Sequence, residues 1–95
     1  MDVKEAKLLL EKIKSRDIVK AMDLVWHMEI KGPFIERNRR KACEIIIKRY
    51  FCENKSTLKS LDYEGFGTAA RVMQIEHRAL LFLGKLIKEY YEKNN

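Results

Sequence analysis

Residues 68–81 read TAARVMQIEHRALL, and the pattern of this stretch is helical. In one straight helix Glu76 would share a face with Val72 and Ala79, because residues three or four apart lie on the same side. Burying an unpaired carboxylate in such an apolar stripe costs free energy. A turn near 74–76 would avoid that cost. Two alternatives therefore follow: one long helix, or two short helices joined by a turn.

The two-helix alternative has the features of a helix-turn-helix. Alanines on both sides of the turn would let two helices cross closely. The polar residues Glu76, His77 and Arg78 would then lie at the exposed start of the second helix, the end that meets base edges in a DNA groove.

The same stretch resembles the helix-turn-helix of Fis-type DNA-binding proteins. That pattern has an alanine pair, two large apolar residues, a glycine and an aliphatic residue, then a short polar segment ending in leucine. The matching positions are Ala69-Ala70, Val72-Met73, Ile75 and Leu80. Gln74 occupies the position of the glycine.

The stretch is also similar to the C-terminal DNA-binding domain of the DnaA initiators. There a basic segment and a long helix precede the motif. An acid–histidine pair, here Glu76-His77, begins the recognition helix, which enters the DNA groove. Either resemblance implies DNA binding, with four side chains at or near the groove: Arg71, Glu76, His77 and Arg78.

Positive charge is concentrated just before the middle of the chain. The formal net charge is +6, and residues 31–49 contain seven Lys or Arg residues against two Glu. A basic patch suits a polyanion, either nucleic acid or an acidic protein. The residues expected to contact phosphates are Arg37, Arg39, Arg40 and Lys41.

The remaining pattern predicts an all-α domain covering residues 1–95. Helices are expected at about 2–14, 16–30, 33–53 and 68–93, with a short helical turn ending near residue 61. Asp2 is expected to cap the first helix, and Gly32-Pro33 to end the second. Pro33 suits the first turn of the third helix.

The run Ala79–Leu83 is apolar around the whole helix, and such a helix must be covered on every side. One interpretation is a central core helix in a bundle of four to five helices. The other is that Leu81 or Phe82 contacts a second copy in a homodimer.

Several classes of protein are excluded by what the sequence lacks. The longest apolar run has five residues, against the roughly 20 that a bilayer requires. The charged N-terminus does not resemble a signal peptide, so we expect a cytoplasmic protein. Neither histidine has a metal-binding partner three or four residues after it, and no nucleophile has a recognisable base. We expect no metal, no cofactor and no enzymatic activity.

Two functions remain. The first is a small DNA-binding protein, a regulator or accessory factor, which binds double-stranded DNA and forms a homodimer. The alternative is an adaptor or inhibitor that binds an acidic protein, with Leu81 and Phe82 as the apolar anchor.

Overall fold

The first helix, α1, begins at the expected residue. The computed structural model describes residues 1–93, apart from the side chain of Tyr63. α1 spans Val3–Arg16, and the Asp2 side chain accepts a hydrogen bond from the backbone N–H of Glu5 at 2.8 Å. This bond satisfies one of the free donors at the start of the helix. The predicted cap is confirmed.

A single residue, Asp17, separates α1 from α2, which spans Ile18–Lys31. The Asp17 backbone N–H donates to the carbonyl of Ile13, and its carboxylate accepts from the N–H of Lys20. Asp17 therefore closes one helix and opens the next.

The second helix ends at Gly32, as predicted, but the third begins later than Pro33. α3 spans Glu36–Ile46. Residues 33–35 form a link instead of a first helical turn, and Ile35 has an extended backbone. The Arg39 side chain holds this link, because it donates hydrogen bonds to backbone carbonyls before and within it.

A single π-helical turn, Ile47–Phe51, continues α3. After a loop, α4 spans Leu58–Tyr63, and Thr57 caps it by exchanging hydrogen bonds with Ser60. Gly65 and Gly67 follow with φ of 90° and 121°, values that glycine adopts without steric cost. These two glycines form the loop that leads into α5.

The last helix, α5, spans Ala69–Lys93 without interruption. The one-helix alternative is therefore correct for residues 68–81, and the turn at 74–76 is absent. Glu76 is buried, with 1% of its surface exposed, so the expectation that it lies at an exposed helix start is wrong.

α5 is the central helix of the bundle and contacts each of the other four. Within residues 1–93 the structure contains helices and no strand, which confirms the all-α class. One core joins all five helices. Its buried residues are Ala6, Leu10, Ile13, Ala21, Val25, Met28, Ala42, Cys43, Ile45, Ile46, Leu61, Val72, Ile75, Ala79, Leu80, Leu83 and Ile87.

Gly84 marks the closest approach of α1 to α5. A Cβ at this position would lie 2.9 Å from the Cβ of Ala6 and 3.2 Å from its Cα. Such distances are below van der Waals contact, so only glycine fits here without a shift of the two helices. Among the residues that the structure describes, no helix has both the length and the hydrophobicity needed to cross a bilayer.

Candidate nucleic-acid interface

The carboxylate of Glu76 is paired inside the protein. Arg49 Nε donates to Glu76 Oε2, and the hydroxyl of Tyr50 donates to the same oxygen at 3.3 Å. Burial, together with the Glu76 carboxylate, raises the pKa of the Tyr50 hydroxyl to about 12. The hydroxyl therefore stays protonated near neutral pH and remains a donor. Because the carboxylate is paired, the free-energy cost of burying it is offset. A turn at 74–76 is then not needed to avoid that cost.

The π-helical turn holds the two donors that reach Glu76. Lys14, on α1, donates to the backbone carbonyl of Tyr50 within this turn. Arg49 Nη1 also donates to the carbonyl of Ser56 at 3.1 Å, which ties the following loop to the turn. Glu76 therefore has a structural role in joining α5 to the end of α3.

Arg39 also has a structural role, although it lies within the predicted basic segment. Its Nε lies 3.2 Å from the carbonyl oxygen of Gly32 and 3.0 Å from that of Phe34, and its Nη1 donates to Ile30 at 2.7 Å. A cation that satisfies free carbonyls at a helix C-terminus stabilises that end. Arg39 is thus occupied at the end of α2.

The N-terminal halves of α3 and α5, with the link before α3, enclose a cleft of about 460 Å³, here called the α3–α5 cleft. Its lining residues are Phe34, Ile35, Asn38, Arg71, Gln74, Ile75 and Arg78. The Arg78 guanidinium lies over the Phe34 ring, 5.7 Å from its centroid. No carboxylate lines this cleft. Within residues 1–93, neither Arg71 nor Arg78 has an ion-pair partner.

A second, smaller cleft of about 280 Å³ lies between α3 and the loop after α4. Its residues are Arg37, Arg40, Lys41, Glu44, Glu64, Gly65 and Phe66. Arg40 pairs with Glu44 at 3.5 Å, and 77% of the Arg40 side chain is exposed. Arg37 and Lys41 have no carboxylate partner in the described part of the chain.

The loop after α4 leads from the smaller cleft towards α5. Gly65 and Phe66 line the smaller cleft, and the next residue, Gly67, lies near the side chain of Arg71. Basic residues of α3 and α5 therefore line two clefts that both include residues of α3. We call these basic residues together the cationic face: Arg37, Arg40, Lys41, Arg71 and Arg78.

The remaining sequence-based candidates lie elsewhere or are partly covered. His77 is half-buried. Leu81 is 39% exposed and lines a separate groove beside Lys85 and Lys88. Phe82 packs against the core. Leu81 and Phe82 therefore do not form one exposed apolar patch.

Five residues of the α3–α5 cleft are not among the sequence-based candidates: Phe34, Ile35, Asn38, Gln74 and Ile75. A signal for one of them is present. On an unbroken helix Arg71, Gln74 and Arg78 are spaced by three and four residues and lie on one side. The two-helix alternative places these three residues on two different helices and so hides the pattern. No local pattern identifies Phe34 or Asn38, because they meet α5 only in the folded chain.

No group of His, Cys, Asp and Glu side chains among residues 1–93 is arranged to hold a metal ion. Comparisons of the chain with protein-family models, with curated proteins and with solved structures gave no match.

Proposed function

We propose that this protein binds nucleic acid through the cationic face. The observation that carries the proposal is the set of five basic side chains that line the two clefts, three from α3 and two from α5. Four of the five, Arg37, Lys41, Arg71 and Arg78, have no carboxylate partner within residues 1–93. Unpaired, solvent-accessible cations on one surface favour binding to a polyanion.

Arginine is the main residue of this face, and its forked guanidinium matches phosphate oxygens with two parallel hydrogen bonds. Phosphate contacts position a protein on nucleic acid without reading its sequence. The resemblance to the Fis-type and DnaA domains depends on a separate recognition helix, and α5 is unbroken. The proposal of DNA as the ligand, including double-stranded DNA, therefore rests on the cations of the face.

The test compares two double variants that remove the same charge. Arg37→Ala with Arg71→Ala takes one cation from each helix of the cationic face. Lys4→Ala with Lys93→Ala takes two exposed cations from elsewhere. At about 0.1 M salt we expect the first pair to weaken binding by roughly tenfold or more, and to flatten its salt dependence by about one to two counterions.

The control pair should change affinity by much less, since its lysines lie outside the face. Equal effects of the two pairs would show that net charge alone attracts the ligand, and the proposed face would be wrong.

A second candidate function is protein–protein interaction, which the exposed side of α2 favours. Val19, Trp26 and Ile30 are 69%, 49% and 67% exposed. Steps of seven and four residues bring them to one side of the helix. Contiguous exposed apolar surface is typical of interaction sites.

The sequence suggested a homodimer through Leu81 or Phe82, but Phe82 packs against the core. The homodimer is therefore proposed to form through the more exposed side of α2. Light scattering is expected to give twice the chain mass for the wild type and the single-chain mass for Trp26→Ser. A wild type with the single-chain mass would rule out this homodimer.

A further inference from the structure

We infer that the α3–α5 cleft takes one unpaired nucleotide, so that the protein prefers single-stranded nucleic acid to a duplex. This inference rests on the proposed function and adds the form of nucleic acid that the cationic face selects. In a duplex the bases are stacked and their pairing edges are occupied. A recess between two helices can accept a base only after it leaves the stack.

The walls of the cleft suit the flat face of a base. Phe34 and Ile35 supply most of the apolar surface, and the buried Ile75 also lines the cleft. The Arg78 guanidinium lies over the Phe34 ring, so a base would stack on the guanidinium with the ring behind it. Aromatic rings and guanidinium planes are the surfaces on which unpaired bases stack.

The polar groups of the cleft suit the edge of a base and its phosphates. The carboxamides of Asn38 and Gln74 each offer donors and an acceptor. The Asn38 side chain makes no hydrogen bond to another described residue, and Gln74 has one long contact, 3.5 Å from Arg71 Nη1. These groups are therefore available to a ligand. Arg71 and Arg78 can neutralise the phosphates on either side of the bound base.

The continuity of α5 is consistent with this selection. A helix-turn-helix exposes a short helix that enters the major groove. In α5 the residues of the same stretch divide between the interior and the cleft: Glu76 is buried and paired with Arg49, while Gln74 and Arg78 are exposed and line the cleft. The cleft side of α5 therefore presents a cavity wall with two arginines.

The experiment measures fluorescence anisotropy of a labelled single strand of mixed sequence and of its matching duplex. We expect the wild type to bind the single strand about fivefold to 100-fold more tightly, the range that stacking of one base gives. Phe34→Leu keeps apolar volume but removes the ring, and should reduce this preference while leaving duplex affinity nearly unchanged.

Two further variants make the result specific to the cleft. Gln74→Ala changes an exposed helical residue, so the fold is retained, and it should also reduce the single-strand preference. Trp26→Leu removes an aromatic ring from the exposed side of α2 and should leave the ratio of the two affinities unchanged.

The outcomes separate this inference from the proposed function. Equal binding of single strand and duplex by the wild type would overturn the inference, and so would a preference that neither Phe34→Leu nor Gln74→Ala reduces. If binding in those cases still depends on Arg37 and Arg71, the proposed function stands. Absence of binding to both forms would overturn the two together.

Discussion

Arg39 and Arg40 are neighbours in the chain, yet their surroundings differ. Arg39 donates to carbonyl oxygens at the end of α2, whereas Arg40 is exposed beside Glu44. Loss of Arg39 leaves partly buried carbonyls without donors, and each such loss is costly. We therefore expect Arg39→Ala to lower the free energy of unfolding by about 1–3 kcal/mol.

Arg40→Ala is the matched control and should change the free energy of unfolding by less than about 0.5 kcal/mol, as exposed substitutions usually do. Urea denaturation of both variants measures the difference. Similar losses for the two would contradict the structural role of Arg39.

The pair formed by Arg49 and Glu76 allows a second prediction. Arg49→Met leaves the Glu76 carboxylate buried with only the Tyr50 hydroxyl beside it, and breaking a buried ion pair in this way costs about 3–5 kcal/mol. The double variant Arg49→Met/Glu76→Leu removes both charges and should recover most of that stability. Chemical denaturation of the two single variants and the double variant gives the coupling energy. A double variant as unstable as the sum of the single variants would argue against the pair.

At the level of helices, the contact between α1 and α5 depends on Gly84. Valine there would place its side chain against Ala6, and overpacking of this kind costs about 1–3 kcal/mol. Gly84→Val should therefore lower the thermal midpoint. Lys85→Val, at the next and exposed position, introduces the same branched residue without the clash and should have a smaller effect. Valine is a better helix former than glycine, so propensity alone would raise the midpoint of Gly84→Val. An unchanged or higher midpoint for this variant would contradict the close packing of α1 on α5.

The helices that the sequence predicted well have local end signals. Asp2 and Gly32 act on backbone groups within one turn of themselves, so short-range chemistry is sufficient to identify them. The start of α3 was harder to predict from local signals. The link after Pro33 is held by Arg39, which lies inside α3 and donates to the carbonyl of Phe34.

The continuity of α5 could not be decided from residues 68–81 alone. An acid inside an apolar stripe is unfavourable unless a partner is present, and the partners of Glu76 are 26 and 27 residues away in the chain. Nothing in the local pattern distinguishes Arg49 from the other arginines of the basic segment. The π-helical turn that carries Arg49 also depends on distant contacts, including the bond from Lys14.

The candidate site was predictable in part. The density of positive charge on residues 31–49 is a property of the sequence, and three of its residues, Arg37, Arg40 and Lys41, line one cleft. Glu76 was expected at an exposed helix start, which required a turn in α5. Arg39 was expected to contact phosphates because of its charge. The structure places both side chains in internal contacts. The meeting of Asn38 with Arg71 and Gln74 required the packing of α3 on α5.

For the whole molecule, the central claim is that the cationic face binds the phosphates of nucleic acid. The most direct measurement is a salt titration of wild-type binding to a labelled oligonucleotide of mixed sequence. With five cations engaged, log K should fall against log salt with a slope between about −3 and −5. Affinity should then fall roughly 10²-fold to 10³-fold as salt rises from about 50 to about 200 mM. No binding at about 50 mM salt, or an affinity independent of salt, would contradict the claim.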